Sequence, residues 1–212
     1  MNIGFRELNE SHFPLLLKWL EAPHVKKWWD SDIKCNFDLV SKKYTSYVNG
    51  YRKSNGVYKP ISAYLIYSHS DPIGYIQIYS PYDFPRDNEL AELPESLGTI
   101  DIFIGEEDYL SKGFGTHAII EFLSLVDKGA LGRNIPRYRY IFVAPEYKNE
   151  AAVKAYEKAG FTILKRMDKS FWMIAHNKIV RLFIADLINL ETIFRKTFKK
   201  TIDYGFLDQE LT

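Results

Sequence analysis

Cysteine occurs once in 212 residues, at Cys35. A single thiol excludes an internal disulfide and any metal cluster built on cysteines, so Cys35 reads as a small apolar residue, buried or half-buried. The five histidines, His12, His24, His69, His117 and His176, show no ligand spacing, and no metal is expected. The chain has no internal repeats or low-complexity segments, and no uninterrupted apolar run approaches membrane-spanning length. Its first residues, Met-Asn-Ile-Gly-Phe-Arg-Glu, lack a basic segment followed by an apolar one, so a cytoplasmic protein is expected. Net charge is nearly absent as well: 28 Lys and Arg against 27 Asp and Glu leave +1.

That near-neutral sum hides a division along the chain. From Asp83 to Asp108 nine acids face one base, Arg86, which suits a cationic ligand. From His176 to Lys200 six bases stand against Asp186 and Glu191. Those bases follow an apolar helical seam and lack the motif of any nucleic-acid module, so nucleic acid is not an expected partner. Hydrophobic residues make up 46% of the chain and charged ones 26%, as in an ordinary folded protein, and the length allows one α/β domain plus an appendage. Aromatic residues are plentiful, with 15 Tyr and 14 Phe, which predicts a core and a cleft built on rings.

Apolar patterning predicts a first strand over Ile3 to Arg6. A helix capped by Asn9 or Ser11 follows, with Leu15, Leu16, Trp19 and Leu20 as its stripe and Pro23 as its stop. His24 to Trp29 reads as a short second helix. Its paired Trp28 and Trp29 serve either as core or lid packing or as a wall of a substrate cleft. Phe37 to Asn49 has helical spacing through Phe37, Val40, Tyr44, Tyr47 and Val48, and residues 51–59 read as a polar loop. Ile61 to Tyr67 and Ile73 to Tyr79 form a hairpin, in which Gln77 shares a face with Tyr75 and Tyr79 and is either solvent-facing or functional. Residues 80–98 read as an irregular acidic excursion bordering a cleft. Strands are expected over Thr99 to Gly105, Tyr138 to Val143, Phe161 to Lys165 and Phe171 to Ala175, with helices over His117 to Val126 and Asn149 to Ala159. Past Asn177, Val180, Phe183, Leu187, Leu190, Phe194 and Phe198 repeat at helical spacing. That face packs on the domain or a second subunit, giving a possible homodimer, or lies as an amphipathic helix on a membrane surface.

Two stretches carry chemistry. In Asp108-Tyr-Leu-Ser-Lys-Gly-Phe-Gly-Thr116, Gly113 and Gly115 let the backbone turn with several N–H groups on one side at a helix N-terminus, which makes either a phosphate seat or a plain strand-to-helix turn. The second runs Val143-Ala-Pro-Glu-Tyr-Lys-Asn-Glu-Ala-Ala-Val-Lys-Ala-Tyr-Glu-Lys-Ala-Gly-Phe161. Together they resemble the GCN5-related N-acetyltransferases, over residues 3 to 175. The family's pattern is a Gly-x-Gly loop, a strand, then Asn-x-x-Ala-x-x-x-Tyr-Glu-Lys-x-Gly-Phe. It often has Gln or Arg three residues before the first glycine, where this chain has Leu110. The resemblance implies an α/β (α+β) GNAT fold, a central mixed, strongly twisted sheet flanked by helices, over residues 1–176. Residues 177–212 would then be a C-terminal helical extension.

The resemblance also implies acetyl-CoA as co-substrate. Its pyrophosphate would lie on backbone N–H groups of Lys112, Gly113, Phe114, Gly115 and Thr116, and its carbonyl and arm on the main chain of Phe103, Ile104 and Gly105. Tyr156 matches the family's general acid and Asn149 its pantetheine-contacting asparagine. Seven residues apart, these two point the same way along a helix. Read from the residues alone, Tyr156 is equally a core tyrosine and Asn149 a helix cap.

Asp101 interrupts an apolar strand, Ile100-Asp-Ile-Phe-Ile104, and a charge there needs a structural partner or a cationic substrate. Within the superfamily the chain looks like the aminoglycoside 6'-N-acetyltransferases. The carrying residues are Trp19-Leu20, Pro23-His24-Val25, Trp28-Trp29, Pro72-Ile-Gly-Tyr-Ile-Gln77, Ile100-Asp101 and Phe103 to Thr116. By that resemblance Gln77, Asp101 and an acid of residues 83–95 contact the aminoglycoside, and Trp28 or Trp29 stands near its rings; for an amine that must lose a proton, the carboxylate of Asp101 is the candidate to receive it. A sister group that acylates N-hydroxylysine is also similar, but tends to hold histidine at the position of Asp101. A non-catalytic acyl-CoA or ligand-binding module is the reading from another class.

Overall fold

The computed structural model describes residues 1–54, 56–84, 93–132 and 135–176. The expected C-terminal extension, residues 177–212, and the acids Asp87, Glu89 and Glu92 lie outside the described residues.

The elements follow the chain as β1 (Ile3–Glu7), α1 (Phe13–Glu21), α2 (Pro23–Lys26), α3 (Phe37–Val48), β2 (Tyr51–Ser54), β3 (Val57–Ser68) and β4 (Asp71–Tyr79). After these come β5 (Leu97–Ile104), α4 (Phe114–Lys128), β6 (Tyr140–Val143), α5 (Glu150–Lys158), β7 (Thr162–Arg166) and β8 (Phe171–His176). One sheet runs β1-β3-β4-β5-β6-β8-β7, with β2 added along β3. All its pairs are antiparallel except β5 with β6, the parallel pair joined by the α4 crossover. This is the mixed sheet flanked by helices that the resemblance implies.

Both faces of the sheet are covered, which is why β3 and β4 read as nearly continuous apolar runs. On one face Tyr64, Ile66, Ile76, Ile78 and Ile100 pack against Ile119, Phe122 and Leu123 of α4 and Val153 and Tyr156 of α5. On the other, Leu65, Tyr67, Tyr75 and Tyr79 pack against Leu16, Trp19 and Leu20 of α1 and Val40, Tyr44 and Tyr47 of α3. From Tyr75 to Tyr79 the side chains of β4 alternate between the two cores, Ile76 and Ile78 to the first and Tyr75 and Tyr79 to the second.

Several expectations shift. Residues 51–59, expected as a loop, instead form an antiparallel hairpin of β2 with the start of β3. The segment reads as polar because its described side chains are exposed or half-buried, and it is held by cross-strand ring packing of Tyr51 on Tyr58 at 4.8 Å. Pro23, expected only as a stop, opens α2 at a position where its missing N–H is not needed. Phe37, placed on the apolar stripe of α3, is 51% exposed in the first turn. The central strand starts at Leu97 rather than Thr99, β6 at Tyr140 rather than Tyr138, and α4 at Phe114 rather than His117.

Close pairing of β4 and β5 depends on Gly74. A methyl group there would lie 2.4 Å from the backbone oxygen of Phe103, which cannot swing away. Gly74→Ala is expected to destabilise by about 1–3 kcal/mol, lowering the melting midpoint by roughly 2–10 °C for a chain of this size. Thermal unfolding followed by circular dichroism checks this, and an unchanged midpoint would contradict the tight pairing.

Candidate active site

β5 stays with β6 only through Leu97, Gly98 and Thr99, opposite Tyr140, Ile141 and Phe142. From Ile100 to Ile104 the two strands part, and a cavity of about 1000 Å³ occupies the gap. Its walls are residues 99–104 of β5, the start of α4, residues 142–146 at the end of β6 and just past it, the face of α5, the Trp28-Trp29 pair, and Tyr79, Pro81 and Phe84.

Backbone directions on β5 follow from one bond. Gly105 N–H donates to Ile73 O at 2.8 Å, so alternation turns the backbone groups of Phe103 and Asp101 toward β4 as well. The groups facing the gap are therefore those of Ile102 and Ile104. Phe103 also lines the cavity, and Gly105 sits outside the lining, packed beneath Trp19. Of the three residues expected to offer main chain, Ile104 does so and Ile102 joins it.

At one end of the gap, Gly113 takes φ 85°, a left-handed turn that suits glycine, and opens α4. The first intrahelical bond runs from His117 N–H to Gly113 O at 3.1 Å, and no side chain caps the helix. The N–H groups of Phe114, Gly115 and Thr116 are thus left at the positive end of the helix, against the cavity. Lys112 is exposed and lies outside the lining.

α5 supplies Asn149 and Tyr156. Asn149 caps the helix by accepting from Ala152 N–H at 3.2 Å, and it also lines the cavity, so the cap and the site reading both hold of its position. Tyr156 lines the cavity too, edge-on to Phe161 at 5.2 Å. Burial pushes its phenol well above the ordinary tyrosine value, and the charge of Asp101 adds to the shift. The group therefore stays protonated at neutral pH.

Asp101 sits half-buried on the opposite side of β5, on the face carrying α1 and α3. Gln77 Nε2 donates to its Oδ2 at 2.7 Å and Tyr79 O–H donates to the same oxygen at 2.8 Å. Gln77 in turn accepts from Tyr75 O–H at 2.7 Å. Gln77 is 4% exposed and outside the cavity lining, which overturns the solvent-facing alternative: its amide holds Asp101 in place rather than reaching the cavity. Among the described residues no Lys, Arg or His forms an ion pair with Asp101. Two other acids of the 83–108 stretch are ion-paired: Asp83 with Lys59 at 3.2 Å, and Glu106 with Lys18 at 2.7 Å.

Trp29 is half-buried and stands edge-on to Phe103 at 5.0 Å and to Tyr75 at 5.9 Å, while Trp28 carries Lys27 Nζ over its ring at 4.6 Å. Both line the cavity, so the pair packs and forms a wall at once. Three participants escaped sequence reasoning: Tyr79, Phe84 and His24. Tyr79 was legible as the residue two past Gln77 on the same strand face and His24 as part of the Pro23-His24-Val25 stretch, though neither was given a role, whereas Phe84 carried no signal.

The pattern of the acetyltransferase (GNAT) domain family matches residues 9–169. Aminoglycoside N(6')-acetyltransferase type 1 of Klebsiella pneumoniae and its namesake from Serratia marcescens are each 24% identical over 161 residues, covering 76% of this chain and 74% of the relative. Among solved structures, AAC(6')-Ib with parmomycin and acetyl-CoA superposes with a TM-score of 0.68 at 21% identity, over 95% of this chain and 98% of that one. An aminoglycoside N(6')-acetyltransferase from Legionella pneumophila gives 0.59 at 24% identity, over 84% and 95%. These superpositions establish the fold.

The raised phenol has a consequence for stability. An unfolded tyrosine ionises near about pH 10, while folded Tyr156 holds its proton beyond that. Its contribution is therefore complete below that pH and is lost as pH rises above it. Melting midpoints between pH 9 and 11 should fall less steeply for Tyr156→Phe than for the wild type. Equal slopes would mean that the phenol is not held protonated.

Proposed function

The chain belongs to the acetyltransferase (GNAT) family, and from that we propose that it transfers the acetyl group of acetyl-CoA to a primary amine of a polycationic small molecule, the 6'-amino group of an aminoglycoside. The observation that carries the acceptor class is Asp101, a carboxylate in a cavity wall held, among the described residues, by neutral donors. A cationic amine supplies the charge that the fold leaves out. The curated relatives bear this name.

Acetyl-CoA would bring an activated thioester and a diphosphate. The uncapped N–H groups of Phe114, Gly115 and Thr116 suit the diphosphate. The gap-facing main chain of Ile102 and Ile104 suits the arm and carbonyl, with Asn149 at the far wall. Oδ2 of Asp101 is fixed by Gln77 and Tyr79, leaving Oδ1 to anchor an ammonium and take its proton, directly or through water. An alkylammonium with a pKa of roughly 8–10 must lose that proton before it attacks. Tyr156, kept protonated by burial, is placed to protonate the departing thiolate. Trp28 and Trp29 offer rings to the sugar faces.

The reading implies a cytoplasmic enzyme with residues 1–176 as the catalytic domain. Among the described residues no helix is long and apolar enough to cross a membrane.

Acetyl-CoA-dependent thiol release with kanamycin, tobramycin, N-hydroxylysine, spermidine and a lysine peptide tests the acceptor. Turnover confined to the aminoglycosides is expected. Turnover on N-hydroxylysine alone would remove the role given to Asp101, and none across the panel would favour a binding module. Tyr156→Phe should lower kcat by roughly 10²–10⁴-fold with acetyl-CoA affinity little changed. An unaltered kcat would remove Tyr156 as the acid.

A further inference from the structure

His24 belongs to α2, the short helix that leads to the Trp28-Trp29 wall, yet its ring touches β5, eighty residues on. Its Nε2 lies 3.1 Å from the backbone oxygen of Ile104. A carbonyl only accepts, so Nε2 carries the proton. Ile104 is the last residue of β5, in the stretch that β6 has left, and its backbone faces the cavity. In a continuous sheet the next strand would bond that carbonyl; here a histidine does. The other nitrogen, Nδ1, is buried without a hydrogen-bond partner, and the carboxylate of exposed Glu107 stands 3.7 Å away. The ring is thus committed through one atom, and that atom meets the backbone at the open edge.

We infer that His24 is a positioning residue for the acyl donor: it substitutes for the missing strand at Ile104 and holds the free edge of β5 where a thioester arm lies along it. The inference rests on the acetyl-transfer reading but not on the identity of the acceptor. By tying α2 to the same edge, His24 also keeps the aromatic wall in register with the bound donor. The hydrogen bond is what matters, so a side-chain amide of sufficient reach replaces the imidazole. Glutamine reaches with a donor N–H, and alanine or leucine does not.

Titration calorimetry with acetyl-CoA alone reads the donor site without any amine. His24→Ala should weaken acetyl-CoA binding by roughly five- to tenfold, the worth of one hydrogen bond, and His24→Gln should stay within about threefold of wild type on the same scale. His24→Leu, which keeps volume but donates nothing, should behave as alanine does and serves where alanine impairs folding. Unchanged affinity in the alanine and leucine variants would overturn the inference. So would a glutamine variant as impaired as leucine, since packing rather than the bond would then be at stake. Failure of kanamycin as an acceptor would leave this result standing, so the two readings fail separately.

Discussion

Asp101 leaves the sheet with one carboxylate oxygen held by Gln77 and Tyr79, and with no cation paired to it among the described residues. A charge half-buried against an aromatic core is tolerated only when its surroundings are built for it. Here they are neutral donors in a row, Tyr75 to Gln77 to Asp101 and Tyr79 to Asp101, all on one face of β4 and β5. The arrangement keeps the carboxylate fixed without neutralising it. Removing a donor would loosen the group, and supplying a lysine would neutralise it.

The second constraint is the point where β5 and β6 part. A β-strand sends alternate side chains to opposite faces, so Asp101 on one face and Ile100 and Ile102 on the other would ordinarily never share a pocket. Parting the strands opens the sheet edge-on. Asp101 from the α1 and α3 side and Tyr156 from the α5 side then line one cavity, close enough for the first to shift the ionisation of the second. Cavity, free backbone edge and uncapped helix start arise together at this break. A carboxylate and a protonated phenol thus meet one cavity from opposite sides of a sheet.

Much of this was legible in the residues. The alternating runs, the Gly113 and Gly115 turn, and the Asn149 to Tyr156 spacing are local patterns, and each lies where its periodicity put it. Asp101 stood out because a charge inside an apolar strand conflicts with its neighbours. What stayed hidden was long-range or projected into solvent. The β2 hairpin is polar because its described side chains are exposed or half-buried. His24 acquires its role only when α2 meets Ile104, eighty residues later. Gln77 was assigned to the ligand, whereas its amide is directed at Asp101, a pairing set by the register of β4 on β5.

The central claim is that Asp101 is kept unpaired in order to receive a cationic amine, and the affinity of kanamycin for the wild type and for Asp101→Asn, each saturated with CoA, tests it most directly. Asparagine keeps the shape and removes the charge. The account predicts that kanamycin binding weakens by at least about tenfold, the scale of one charge-assisted hydrogen bond, while CoA affinity stays within about twofold of wild type. Kanamycin and CoA affinities lost together, or kanamycin affinity unchanged, would contradict it and leave Asp101 as a structural carboxylate.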